Sequence, residues 1–116
     1  MAQKENNIIP MIFDEAFYRK MATQKWRQQD YKKAAEYYEK VLELSPKDFD
    51  IQQHYAQCLV KLNIGKKAER LFYENIVKDF HVAESFYELS QLNIELNEPN
   101  KAFLFGINYV ILSEDK

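Results

Sequence analysis

Asp50, His54 and Cys58 follow one another at intervals of four. On a helix that interval sets them along one stripe, where an imidazole beside a thiol raises its reactivity and two ligands side by side begin a zinc site. A closed zinc site takes four ligands, however, and the sequence offers only His81 as a further His and no second Cys. The expectation is a packed helix face with Cys58 buried in it, with no metal and no cofactor. Gly65 and Gly106 are the only glycines, too few for a loop that cradles phosphate, and no nucleophile elbow or paired-His metalloprotease motif occurs. Asp14 with Glu15 and Glu36 with Glu39 read as solvated charge on helix faces. No constellation supports catalysis, so a non-enzymatic role is expected.

A second chemistry is suggested by Arg19, Lys20, Lys25, Arg27, Lys32 and Lys33, interleaved with Tyr18, Trp26 and Tyr31. Basic side chains attract phosphate and aromatic rings stack on bases. The formal net charge is nevertheless −2, and Glu84, Glu88 and Glu95 make the later part of the chain acidic, so a long polyanion would be repelled along it. RNA association is thus a lesser alternative, and nucleic acid is not the expected partner.

The elements carrying these residues must be helices. Two Gly and three Pro in 116 residues leave little for hairpins, while eight Tyr and eight Phe give one domain material for a core. Apolar residues recur at helical spacing in six stretches: Phe17 to Met21, Tyr37 to Leu42, Tyr55 to Leu62, Leu71 to Ile76, Phe86 to Leu96 and Phe103 to Leu112. Gln29-Asp30, Asn63-Ile64-Gly65 and Asn97-Glu98-Pro99 break the pattern within pairs, and Ser45-Pro46 ends the first pair. Pro99 suits the first turn of a helix, where a missing N–H is no loss. No apolar run approaches the ~20 residues of a membrane span. The opening MAQKENN is too polar for a secretion signal's apolar segment, and a lone Cys fits a reducing compartment, so no membrane association and a cytoplasmic location are expected.

Small residues stand at Ala22, Ala56 and Ser90, and again at Ala34, Ala68 and Ala102, each series stepping by 34. Helices that cross closely need such residues where their backbones approach. In this period and pattern the chain resembles three tandem tetratricopeptide repeats. The first matches at Tyr18, Met21, Ala22, Ala34, Tyr38 and Pro46, the second at Tyr55, Ala56, Ala68 and Phe72, and the third at Phe86, Leu89, Ser90 and Ala102. The resemblance implies an all-α fold, a right-handed solenoid of three antiparallel helix pairs over residues 14–112. Repeats would span about 15–48, 49–82 and 83–116, after an extension over 1–13 and before a tail over 113–116. Departures fall at Val41, Asn75 and Tyr109, where the family carries Ala, and at Phe80, where Pro would stand. Gly106 replaces the ring of Tyr38 and Phe72 in a helix interior, where Gly costs about 1 kcal/mol relative to Ala, so a close neighbour or a slipped register is expected there.

The family also implies the role: a scaffold or adaptor that holds a segment of a protein partner in a concave groove lined by the first helix of each pair. The groove positions would be Ala16, Arg19, Thr23, Trp26 and Arg27, then Asp50, Gln53, Gln57, Val60 and Lys61, then Glu84, Tyr87, Gln91, Ile94 and Glu95. Such a groove is basic at one end and acidic at the other, fitting a segment of opposite polarity, with Gln53 and Gln57 available to its backbone. A related subclass holds the carboxylate tail of heat-shock chaperones, but the matching positions here are Arg19, Thr23, His54, Glu84 and Glu88, and the two acids would repel that tail. The last helix is apolar nearly all round and wants a cover. Further repeats beyond the sequence, a second copy of the chain, or the segment Ile8 to Phe13 would each provide one; the second makes a homo-oligomerising structural module the main alternative.

Overall fold

The structure, a computed structural model, describes residues 14–114. Among them are six α-helices and no strand: α1 (Glu15–Arg27), α2 (Tyr31–Leu44), α3 (Phe49–Lys61), α4 (Gly65–Val77), α5 (Val82–Glu95) and α6 (Pro99–Glu114). The last helix runs through Glu114, past the expected end at Leu112, because Ser113 and Glu114 bring neither Gly nor Pro to stop it. The segment Ile8 to Phe13 lies outside the described residues.

Local chemistry fixes the helix ends. Asp14, Asp30 and Asp48 each accept a hydrogen bond from the amide three residues on, at Phe17, Lys33 and Ile51, a cap worth about 1 kcal/mol. At the other ends Gln29, Asn63, Asp79 and Asn97 take left-handed backbone, with φ of 62°, 64°, 67° and 61°. Each closes its helix with paired amide bonds, as when Asp30 N donates to Lys25 O and Gln29 N to Trp26 O. Three of these residues, 29, 63 and 97, step by the same 34 as the small residues, so each helix pair is turned by one device.

Helices pack chiefly on their neighbours in sequence, which makes the molecule a stack. Ala22, Ala34, Ala56 and Ala68 are wholly buried and Ala102 nearly so, as expected where backbones approach. Val41, Phe72 and Leu89 fill the space between them without exposure, each contributing roughly 1.5–3 kcal/mol by burial. A Cβ added to Gly106 would meet the Ser90 Oγ at 3.2 Å, and that hydroxyl donates to the Ala102 carbonyl at 3.0 Å. The glycine therefore marks a close approach of α5 to α6. Phe80, in place of the family's Pro, packs its ring on Phe49 with centroids 5.2 Å apart.

Candidate functional site

Side-chain bonds run between alternate helices, so α1, α3 and α5 share one face of the stack. Arg19 on α1 bonds Asp48, the cap of α3, and also Glu15, whose other oxygen accepts from Ser45 Oγ at 2.6 Å. On α3, Asp50 Oδ1 lies 2.5 Å from His81 Nε2 at the start of α5, and Gln57 Nε2 donates to Glu88 Oε2 at 3.3 Å. Charge follows this geometry. Ser45 first and Arg19 second hold the Glu15 carboxyl below its ordinary value. Burial pushes Asp48 upward, but the Arg19 guanidinium and the Ile51 amide outweigh it and leave the carboxyl lowered. Burial raises Glu88, against the opposing Gln57 bond and the Lys61 charge.

The residues expected on this face fall into three groups. Thr23, Arg27, Lys61, Glu84, Tyr87, Gln91 and Ile94 are exposed on it, as are Ala16, Asp50 and Glu95. Lys61 also reaches over the Tyr31 ring at 5.9 Å, and His81 Nδ1 lies 3.9 Å from Glu84. Arg19 and Gln57 are partly buried and already bonded across to the next repeat, as described. Trp26 is partly buried too, set edge-on to Tyr31 with centroids 5.2 Å apart, and Val60 packs against the core.

Gln53 departs from the expectation. It is 3% exposed and lies inside the stack, where its Oε1 accepts from Asn75 Nδ2 at 2.7 Å and from Ser85 Oγ at 3.0 Å. Asn75 also donates to the Phe49 carbonyl at 3.1 Å and accepts from Gln52 Nε2 at 3.0 Å. This buried polar cluster ties α3, α4 and α5 together, and it explains the inward turn: an amide at position 75 draws Gln52 and Gln53 toward it. Gln53 is thus withdrawn from any partner's backbone. Helical periodicity does not announce this cluster, whose one signal in the sequence is Asn75, standing where the family carries Ala.

The possible ligand stripe on α3 disperses. Asp50 turns to His81, His54 stacks on Tyr38 with planes 15° apart, and Cys58 is fully buried, its thiol pushed up to about 12 by burial. Packing around the His54 ring, and then the neighbouring His81, lower its imidazole below the ordinary value. Among the described residues no group of three or more His, Cys, Asp or Glu is placed to hold a metal ion, and no helix is long and apolar enough to cross a membrane.

Comparison with known proteins bears on this architecture directly. The tetratricopeptide repeat family's profile matches residues 25–72, the span from the end of α1 through most of α4. That span is similar to a tetratricopeptide repeat. Among solved structures, the crystal structure of MamA protein superposes with a TM-score of 0.74 at 20% identity, covering 84% of this chain and 54% of that one. The chain thus spans about half the length of that protein, with which it shares the fold. No curated protein matches the sequence.

Proposed function

We propose that this chain is a non-catalytic adaptor that holds a segment of a protein partner along the face lined by α1, α3 and α5. The observation that carries this reading is the distribution of exposed side chains on that face: Thr23 and Arg27 on α1, Lys61 on α3, and Glu84, Tyr87, Gln91 and Ile94 on α5. The first end is basic, with the Thr23 hydroxyl beside the charge. The last pairs carboxylates with an aromatic and an aliphatic side chain, where Tyr87 is 46% and Ile94 62% exposed. A segment with acidic residues at one end and a basic and an apolar residue at the other matches this arrangement.

Arg19, Gln57 and Gln53 have a supporting part in this reading. They hold adjacent repeats at a fixed spacing, so that the exposed groups are presented on a rigid surface. Cytoplasmic placement is part of the same proposal and rests on the single reduced thiol.

Selection from a displayed library of random peptides tests the reading. Recovered sequences should share the acidic-to-basic polarity, and an Arg27→Glu, Gln91→Ala variant should bind them at least ~10-fold more weakly, the usual effect of losing one contact at each end of the face. Peptides without shared polarity, or bound equally by both chains, would remove the groove from consideration.

A further inference from the structure

We propose that the outer face of α6 is a self-association surface on which a second copy of this chain docks about a two-fold axis. Of the twelve large apolar side chains exposed among the described residues, five lie on α6, Phe103, Leu104, Ile107, Val110 and Ile111, and Ile94 of α5 borders them. Most of them line a groove of about 610 Å³ that also takes in Gly106 and Ser90.

The repeat shows what the equivalent face looks like when it is covered. Phe103 stands at the position of Ala35 and Glu69, which are 6% and 7% exposed, yet it is 68% exposed. Gly106 takes the place of Tyr38 and Phe72, whose rings are buried between successive pairs, so a hollow is left for a side chain supplied from outside. A successor pair in the same register would not finish the task. Leu104, Ile107 and Ile111 occupy the positions of Glu36 and Arg70, of Glu39 and Tyr73, and of Glu43 and Val77, all of which stay exposed beneath their own successors. The apolar face is wider than a continued stack covers.

Charge selects the occupant. From Ala102 to Ser113 α6 carries no Asp, Glu, Lys or Arg, and Lys101 is drawn to Glu69 at 3.5 Å. Two α6 helices therefore meet without like-charge repulsion. The opposite end of a second copy is a poor cover. Leu92 and Leu96 face Gly65 of the preceding pair, and Cys58, one repeat before Leu92, is fully buried, so these are positions that bury against the preceding pair. At the corresponding positions stand Gln24 on α1 and Gln28, its C-cap, with Lys20 and Arg27 exposed beside them. Stacking head to tail would strand two amides on an apolar surface, whereas the two-fold arrangement buries like against like. The six side chains expose on the order of 600 Å² per copy, and two copies together reach about 1,200 Å², the lower end of the range for a stable interface.

Sedimentation velocity of the full chain over a wide concentration range is the test. The unmodified chain should sediment as a dimer, and Ile107→Glu should weaken association by more than ~10-fold, since a carboxylate would be buried on each side of the axis. Leu104→Glu serves as a second variant, with helical circular dichroism confirming that each remains folded. In the Ile107→Cys chain, a bismaleimide should give a covalent dimer and nothing larger, because Cys58 is buried. A monomer at every concentration would overturn the proposal. So would a ladder of higher species from the Gln24→Cys, Ile107→Cys double variant, which signals head-to-tail stacking, or cross-linking of Ile107→Cys to Ile12→Cys within one chain, which makes Ile8 to Phe13 the cover.

Discussion

Replacing Asn75 by Ala tests whether the polar cluster between α3, α4 and α5 stabilises the fold. The side chain is fully buried and makes three hydrogen bonds, to Gln53, Phe49 and Gln52. At about 1 kcal/mol net for each bond and about 1 kcal/mol for the space vacated, the loss would approach 4 kcal/mol. Part of it is recovered locally. Gln52 keeps its bond to Glu74 at 3.1 Å and Gln53 keeps Ser85, so about 2–3 kcal/mol is the better expectation. Urea unfolding followed by circular dichroism reads this directly. With a slope of roughly 1–3 kcal/mol per molar, the midpoint should fall by about 0.7–3 M with the slope unchanged. The family resemblance argues the other way, since its repeats carry Ala at this position. A midpoint that does not move would mean that position 75 asks only for a small residue and that the cluster is incidental. Combining Asn75→Ala with Ser85→Ala adds a control: both act on Gln53, so their effects should not sum.

Gln29→Gly should raise stability by about 0.5–1 kcal/mol, seen as a higher melting temperature, because φ of 62° strains a side chain there and not glycine. Acid should weaken the fold through Asp48 and Glu15, whose carboxyls lie below their ordinary values of 3.8 and 4.5 in the folded chain. Their contribution is present above those values and is lost as pH falls through the lower folded ones. Asp48→Asn, which keeps a cap, should flatten the decline below about pH 4 in pH-dependent urea unfolding. Glu88, raised by burial, has the opposite sign, losing stability as pH rises through its folded value, and Glu88→Gln should remove that dependence. Cys58 should react with a maleimide only as fast as the chain opens, since its thiol is buried and pushed up to about 12; prompt labelling of the native protein would contradict its place in the core.

The fold was legible because its signals are local or strictly periodic. Small residues at a spacing of 34 mark the helix crossings, and polar breaks such as Asn63 and Asn97 stand where left-handed backbone is needed. The candidate face was legible only as a stripe. Periodicity assigns Gln53 and Gln57 to one side of α3, but which amide turns inward depends on Asn75, Ser85 and Glu88, at separations of 22 to 32 residues. Arg19 looked like an unengaged cation for the same reason, since Asp48 lies 29 residues away. Trp26 was undecidable from type alone; its ring is set against Tyr31 within its own hairpin.

The ties from Arg19 to Asp48, Asp50 to His81 and Gln57 to Glu88 each join a helix pair to the first helix, or its cap, of the next pair. The proposed partner surface is therefore also the line along which these ties join one helix pair to the next. A ligand group that competes for one of these side chains loosens the superhelix as it binds. By reciprocity, under the proposed function a chain whose tie is already cut would take up that ligand group more tightly by the same free energy, which would couple the pitch of the solenoid to its affinity.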